Sequence, residues 1–415
     1  MDEEFSTLQR QHTWSLVLAA PGINLVGCKW VYKLKLHSDG SIACYKARLV
    51  AKGFHQQAGI DYTETFSLVV KPTTVRLVLA IAMSFHWSLR QLDVSNAFLH
   101  GFLKEEVYMQ QPLGYVDAQF PHHVCRLHKS LYGLKQTPRA WFDRFTSQLL
   151  HLGFMDSMAD SSLFVFHSHQ TIIYLLLYAN DIIITGNSTS QVDHLVTALN
   201  TAFELKDLGA LSYFLGIQIL PTRLGLTLCQ STYASDVLHR FKMENSKPTK
   251  TPSCSNSHLT PFDGTALPDP SEYRSMVGAH QYLTFTCLDL SFSVHQLCQF
   301  MQHPTTSHLE VAKRVICYVR GTLHFGIHFA PSPFTFPALF DVDWAGDPID
   351  CKSTTRMLVF LGSSPISWSS KKQPTVSRSS TKAEYCALAS IAAELAWLRT
   401  LFRELRLFLP HVPIL

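Results

Sequence analysis

Ile172-Ile-Tyr-Leu-Leu-Leu-Tyr178-Ala-Asn180-Asp181-Ile-Ile-Ile-Thr-Gly186 is the longest apolar run in the chain, broken near its middle by two polar residues. The stretches on either side are strongly β-prone, so each reads as a strand. The four-residue tip between them then presents Asn180 and Asp181. A run this short, and this polar at its centre, does not span a bilayer. A buried hairpin carries a carboxylate at its tip where solvent, a cation or a metal meets it. Asn-Asp is also an ordinary turn pair, so this stretch alone leaves both readings open.

Upstream, Leu89-Arg-Gln-Leu-Asp93-Val-Ser-Asn-Ala-Phe98-Leu-His100 reads as an apolar strand that ends at an aspartate, followed by a helical start. Rigid backbone at a strand end fixes a carboxylate well for metal binding, and a helix cap is the alternative. Closer to the N-terminus, two β-rich arms, residues 29–36 and 42–50, flank the turn sequence Ser38-Asp39-Gly40. This hairpin carries Lys29, Lys33, Lys35, Lys46, Arg48 and Lys52 against a single Asp39. It is either a solvated charged hairpin or a basic flap over phosphates.

The 415 residues suffice for two or three domains, and 47% hydrophobic against 16% charged residues implies a sizeable core. A net charge of +4 does not by itself identify a nucleic-acid binder. The 10 cysteines form no CxxC pair and the 21 histidines no HExxH, so zinc spacing is absent. With no basic-then-apolar leader ahead of them, the cysteines suit a reducing intracellular setting without disulfide partners, cytoplasm and nucleus being indistinguishable. Five prolines between Glu244 and Tyr273 rule out one regular element there, and Pro331 to Pro337 forms a second break. The expected units are therefore 1–243, a Pro/Ser/Thr-rich linker at 244–270, a helical part at 271–330 and a C-terminal domain at 335–415. Both ends read as interior to a longer chain.

Taken in order, Gln91-Leu-Asp-Val-Ser-Asn-Ala-Phe-Leu-His-Gly101, Val107-Tyr-Met-Gln-Gln-Pro112, Ser130-Leu-Tyr-Gly-Leu-Lys-Gln-Thr-Pro-Arg-Ala-Trp-Phe142, Asp160-Ser-Ser-Leu-Phe164, Tyr178-Ala-Asn-Asp181 and Leu208-Gly-Ala-Leu-Ser-Tyr-Phe-Leu-Gly216 resemble the reverse transcriptase of copia-type retrotransposons. Lys29-Trp-Val-Tyr-Lys33 and Arg48-Leu-Val-Ala-Lys-Gly-Phe54 resemble its fingers. The resemblance covers nearly the whole chain. It implies an α+β fold: a right-hand polymerase of fingers, palm and thumb, followed by a partial ribonuclease H-like α/β domain. It implies RNA-directed DNA synthesis on an RNA/DNA primer-template from dNTPs, with two Mg²⁺ ions bridging the attacking and leaving oxygens. No membrane partner is implied.

By the same resemblance Asp93 is the first metal-binding carboxylate, and the Tyr178 motif supplies the others. Phe98 packs beneath the sugar. Gly133, Lys135 and Pro138 line the base and template, and Lys46, Arg48 and Lys52 contact the triphosphate. The family motif is Tyr-x-Asp-Asp, and here its third position is Asn180. Asn offers a carbonyl oxygen but no charge. Each ~1.4 kcal/mol of lost transition-state stabilisation is about tenfold in rate, so severe impairment is expected. The alternative is a folded, non-catalytic remnant that binds nucleic acid; a domesticated partner-binding protein has no sequence feature in its favour. Leu68, where the family has proline, and Cys287-Leu288, where it has Arg-Pro, are lesser departures.

The C-terminal part resembles the ribonuclease H domain of the same polyprotein. Phe340-Asp341-Val-Asp343 reads as a strand with both aspartates on one face. A helix from Ala383 carries the apolar stripe Leu388, Ile391, Leu395, Leu398, Phe402, Leu405. Glu384 is expected on that stripe, aimed inward at a metal shared with Asp341; a dipole-favoured Glu at a helix start is the alternative. The resemblance places a further catalytic Asp beyond Leu415, which would leave this site incomplete.

Overall fold

The computed structural model describes residues 1–36, 41–65, 69–253 and 259–408. The turn Ser38-Asp39-Gly40, the departure at Leu68 and the last residues, 409–415, lie outside the described residues. The chain is a mixture of helices and strands in two compact units. One comprises Met1–Val70, Gln91–Ile184 and Ser188–Gly209; the other comprises Lys71–Arg90, Thr185–Asn187 and Ala210–Leu415.

The first unit centres on a six-stranded sheet in the order Leu205–Ala210, Leu89–Val94, Asp181–Gly186, Thr171–Tyr178, Leu163–Ser168, Phe154–Asp156. The apolar run of the sequence supplies the middle of this sheet. Ile173, Leu175 and Leu177 alternate with Tyr174 and Leu176, and all five are buried, so both faces of the strand are covered. On one face sit Trp141, Phe145 and Leu149 of the Thr137–His151 helix and Val192, Leu195 and Leu199 of the Thr189–Ala202 helix. Pro138 lies in the first turn of the first of these helices, where its missing N–H costs nothing. Full burial of each large apolar side chain in this layer stabilises it by about 1.5–3 kcal/mol.

The expected basic hairpin is present: Cys28–Leu36 pairs antiparallel with Ile42–Ala51, with Lys33 opposite Lys46 and Val31 opposite Arg48. A four-stranded sheet of Trp14–Leu18, His123–Lys129, Phe102–Met109 and Leu25–Val26 completes the first unit.

The second unit groups residues 210–243 with the C-terminal half of the chain rather than with residues 1–209. The physical tie is strand pairing, because Gly225–Cys229 takes Ile327–Phe329 as its antiparallel neighbour. Helices Ser231–Arg240, Ser271–Leu283, Ser291–Cys298 and Thr306–Gly321 share one core through Val237, Met276, Val294 and Ile316. The last of them begins in a reciprocal cap between Thr305 and His308. Beyond the Pro331–Pro337 break, Ala338–Asp343, Thr354–Leu361 and Ser364–Lys372 form a three-stranded antiparallel sheet.

Helix Ser380–Glu404 packs against Ala338–Asp343. It starts three residues earlier than the sequence suggested, because the Ser379 hydroxyl accepts the Lys382 N–H at 3.2 Å and caps it. By length and composition this helix could cross a bilayer, a test that core helices of soluble proteins also pass. Helix Pro72–Ser84 packs on the Ser364–Lys372 strand, and every residue from Thr74 to Ala82 is buried.

Candidate active site

The Leu89–Val94 and Asp181–Gly186 strands are neighbours, which brings the two sequence motifs side by side. The Asn180 carbonyl accepts the Val94 N–H at 2.9 Å, and the Asn180 Nδ2 donates to Asp93 Oδ1. Asp93, Asn180 and Asp181 are all half-buried. Burial pushes the Asp181 carboxyl above its ordinary range, and the like charge of Asp93 adds to the shift. Two carboxylates therefore converge with one amide.

The tip is tighter than expected. Only Ala179 and Asn180 lie between the strands, so Asp181 opens a strand rather than sitting in a loop. Ala179 takes the left-handed conformation, φ 51°. That conformation costs an L-residue roughly 1–2 kcal/mol. The compensation comes from Trp141, 2% exposed, whose indole N–H donates to the Ala179 carbonyl at 2.7 Å.

Two of the expected nucleotide contacts, Phe98 and Arg48, meet at Tyr132, a residue outside the expected set. The Phe98 ring meets the Tyr132 ring edge-on at 6.0 Å, and the Arg48 guanidinium lies 4.8 Å over the same ring. Burial and the negative charges of Glu4 and Asp93 push the Tyr132 hydroxyl up, against the pull of Arg48. Gly133, at φ 92°, lies so close to the basic hairpin that a Cβ would fall 2.2 Å from the Ala51 carbonyl oxygen. The Tyr132 carbonyl accepts the Ala51 N–H at 2.8 Å. Next to it, buried Gln56 takes the Lys135 N–H at 2.8 Å on Oε1 and donates from Nε2 to Gln136 Oε1 at 3.0 Å.

These bonds lock the end of the hairpin to the Ser130–Phe142 motif. The Lys135 side chain is exposed, and Lys46 and Lys52 are half-buried. Lys46 and Arg48 also face Glu4, whose carboxyl burial pushes up while they draw it down.

The family model described as "Reverse transcriptase (RNA-dependent DNA polymerase)" matches residues 11–255. The chain belongs to the reverse transcriptase family. The retrovirus-related Pol polyprotein from transposon RE2 of Arabidopsis thaliana is 48% identical over the full length of this chain, which covers 29% of that protein. The corresponding polyprotein from transposon TNT 1-94 of Nicotiana tabacum is 39% identical over 98% of this chain and 31% of its own length. An uncharacterised mitochondrial protein of Arabidopsis thaliana is 47% identical over 54% of this chain and 94% of its own length. The chain thus belongs to the copia type and spans under a third of the Pol polyproteins it matches.

Within this copia-type chain, the second expected carboxylate group is arranged differently. Asp341 and Asp343 do share a face of the Ala338–Asp343 strand. Arg356, directly across from Asp341, reaches both of them, with Nη1 2.9 Å from Asp341 and Nη2 3.7 Å from Asp343. Asp343 also accepts the Thr354 N–H. The apolar stripe of the long helix holds from Ile391 to Leu405, but its buried positions nearer the start are Ala383 and Ala387, and Glu384 is exposed. The small alanines press against the sheet, and the expected inward aim of Glu384 is corrected accordingly. As placed, these residues do not fit a divalent ion, because a guanidinium already answers the aspartates. Among the described residues no three His, Cys, Asp or Glu side chains come together as a metal-ligand set.

Trp141 and Tyr132 lie inside a family motif, yet neither is among the expected site residues. The available signal was the placement of large aromatic residues within a motif otherwise built of turn-formers and a helix start.

Proposed function

We propose that this chain is the polymerising segment of a copia-type element, descended from an enzyme that extends a primer on an RNA template, and that its own activity is severely reduced. In this reading residues 1–243 are fingers and palm, 271–330 thumb or connection, and 335–415 a ribonuclease H-like domain. The observation that carries the reading is the hydrogen bond from Asn180 to Asp93. Where the family has a third carboxylate, this chain has a neutral amide whose N–H engages a carboxylate oxygen that a metal would need.

The donor set fits a cation, though poorly a pair of them. Asp93 and Asp181 repel each other, and a cation between them would relieve that repulsion. Asp93 and Asp181 would hold Mg²⁺, with the Asn180 carbonyl oxygen as a neutral ligand. The bound ion would supply positive charge at the attacking and leaving oxygens. Two carboxylates bring two negative charges against the four positive charges of two such ions, which leaves the pair under-compensated.

The chain's own groups supply the rest. Arg48, Lys46 and Lys52 would bind the triphosphate of a dNTP, and Phe98, braced by Tyr132, would set the depth to which its sugar enters. Tyr178, Gly133 and Lys135 would line the primer-template.

Primer extension on an RNA template, under magnesium and under manganese, tests the reading. Extension by Asn180→Asp far above the parent chain is the expected result. Equal rates for parent and variant would overturn the claim of impairment. The alternative, a remnant that binds without catalysis, draws on the basic hairpin; it predicts primer-template binding by both proteins with extension by neither.

A further inference from the structure

We propose that a cleft built around Arg76 in the second unit is a binding site for a phosphate group. The cleft holds about 400 Å³ and opens among helices Pro72–Ser84, Ser271–Leu283 and Ser291–Cys298 and the strand Ser364–Lys372. Its volume falls within the range of small-molecule sites.

Arg76 is 4% exposed, yet its Nη1 has no hydrogen-bond partner. Its Nε donates to the Pro72 carbonyl at 3.1 Å. The guanidinium lies 3.5 Å from the centre of the Trp368 ring and 5.4 Å from that of Phe285. The aromatic faces stabilise its charge but accept nothing from its in-plane N–H groups. Two further lining residues repeat the pattern, since the Ser370 and Ser291 hydroxyls are buried and unpartnered. A cluster of unpaired buried donors is costly to keep empty and calls for acceptors.

The charge in the cleft has one sign. Among the described residues no carboxylate lines it, and Lys371 stands at its wall. Burial draws Arg76 down to about 9, with Glu394 opposing the shift, so the guanidinium remains charged at neutral pH. Glu394 is itself engaged by the Ser367 hydroxyl at 2.6 Å. His295 accepts the Lys372 N–H on Nε2 at 3.0 Å, which leaves its other nitrogen to carry the proton in the neutral ring. Burial holds that ring neutral, aided by repulsion from Lys372 and Lys371. Residues that carry guanidinium, hydroxyl and ammonium donors line one space, a set that matches the several acceptor oxygens of a phosphate group. A free phosphate, a mononucleotide or a nucleic-acid backbone would each present that chemistry.

The test is titration calorimetry on the intact chain with three probes: inorganic phosphate, a 5′-mononucleotide, and an oligonucleotide without terminal phosphates. Saturable binding of inorganic phosphate at one site is expected, weakened at least tenfold by Arg76→Met. Because Arg76 is buried and its replacement can unfold the chain, Ser370→Asp serves as the second variant. Its new carboxylate would meet the guanidinium, abolish phosphate binding and raise the melting temperature. Displacement of the oligonucleotide by phosphate would assign the site to a nucleic-acid backbone; binding of phosphate and the mononucleotide but not the oligonucleotide would assign it to a free ligand. The site is independent of the polymerase reading, so Asn180→Asp should leave phosphate binding unchanged. No phosphate binding by the parent chain, or undiminished binding by Ser370→Asp, overturns the proposal.

Discussion

The side-chain amide of Asn180 donates to Oδ1 of Asp93, joining the tip of one strand pair to the end of the adjacent strand. The bond replaces a repulsion with an attraction. In the Asn180→Asp variant three carboxylates would crowd the same point, so the variant should lose about 1.5–3 kcal/mol of stability in the absence of divalent ions, the size of a hydrogen bond to a charged group. Added magnesium should restore much of it. Chemical denaturation with chelator and with magnesium measures both. A variant as stable as the parent in chelator would mean the Asn180–Asp93 bond contributes nothing.

Asp181 gives a pH signature. Its carboxyl is raised above the ordinary 3.8 by burial and by Asp93. Protonation therefore favours the folded state, and the stability it contributes is complete below 3.8 and lost as pH rises through the raised value. Asp181→Asn should be more stable than the parent at neutral pH, with the advantage fading as pH falls through the raised value and gone below 3.8. Melting temperatures of the two proteins across that range settle it; a constant difference would contradict the assigned cause.

Trp141 holds the tip by both packing and its N–H. Trp141→Phe keeps most of the volume and loses the hydrogen bond to Ala179, an expected cost of about 0.5–1.5 kcal/mol. Trp141→Ala also opens a cavity, with an expected cost of about 3–5 kcal/mol. Urea unfolding distinguishes them, and equal losses would show that the indole N–H has no part in holding the turn.

Gly133 is the close-approach point between the basic hairpin and the Ser130–Phe142 motif. Gly133→Ala meets a left-handed backbone at φ 92° and a carbonyl oxygen 2.2 Å from the new Cβ. The backbone strain alone costs about 1–3 kcal/mol. The hairpin should detach at Ala51, visible as faster amide exchange at that N–H. Unchanged protection there would refute the close approach.

The polymerase-like half was legible because its signals are local. The Thr171–Gly186 run has the length and composition of paired strands, and Asp93 closes an apolar segment. What brought them together, the adjacency of two strands nearly ninety residues apart in a six-stranded sheet, is not written in either segment. Tyr132 escaped notice for the same reason: its partners Phe98 and Arg48 come from distant segments. Glu384 was misjudged because spacing along a helix gives the angular position of a side chain, not the depth of cover over its first turn. The cleft at Arg76 left no trace in the sequence, since an arginine among nine buried helix positions reads as an interruption of an apolar face.

Helix Pro72–Ser84 has a consequence for biosynthesis. Thr73 bonds to Ser367 across 294 residues of chain. At roughly 5–20 residues per second, a ribosome would take on the order of 15–60 s to make the strand that covers this helix after the helix itself has emerged. Through that interval nine largely apolar residues, Thr74 to Ala82, lack the cover that this strand provides. A nascent chain of this kind invites chaperone capture, and any stalled or shortened translation product would carry that helix exposed.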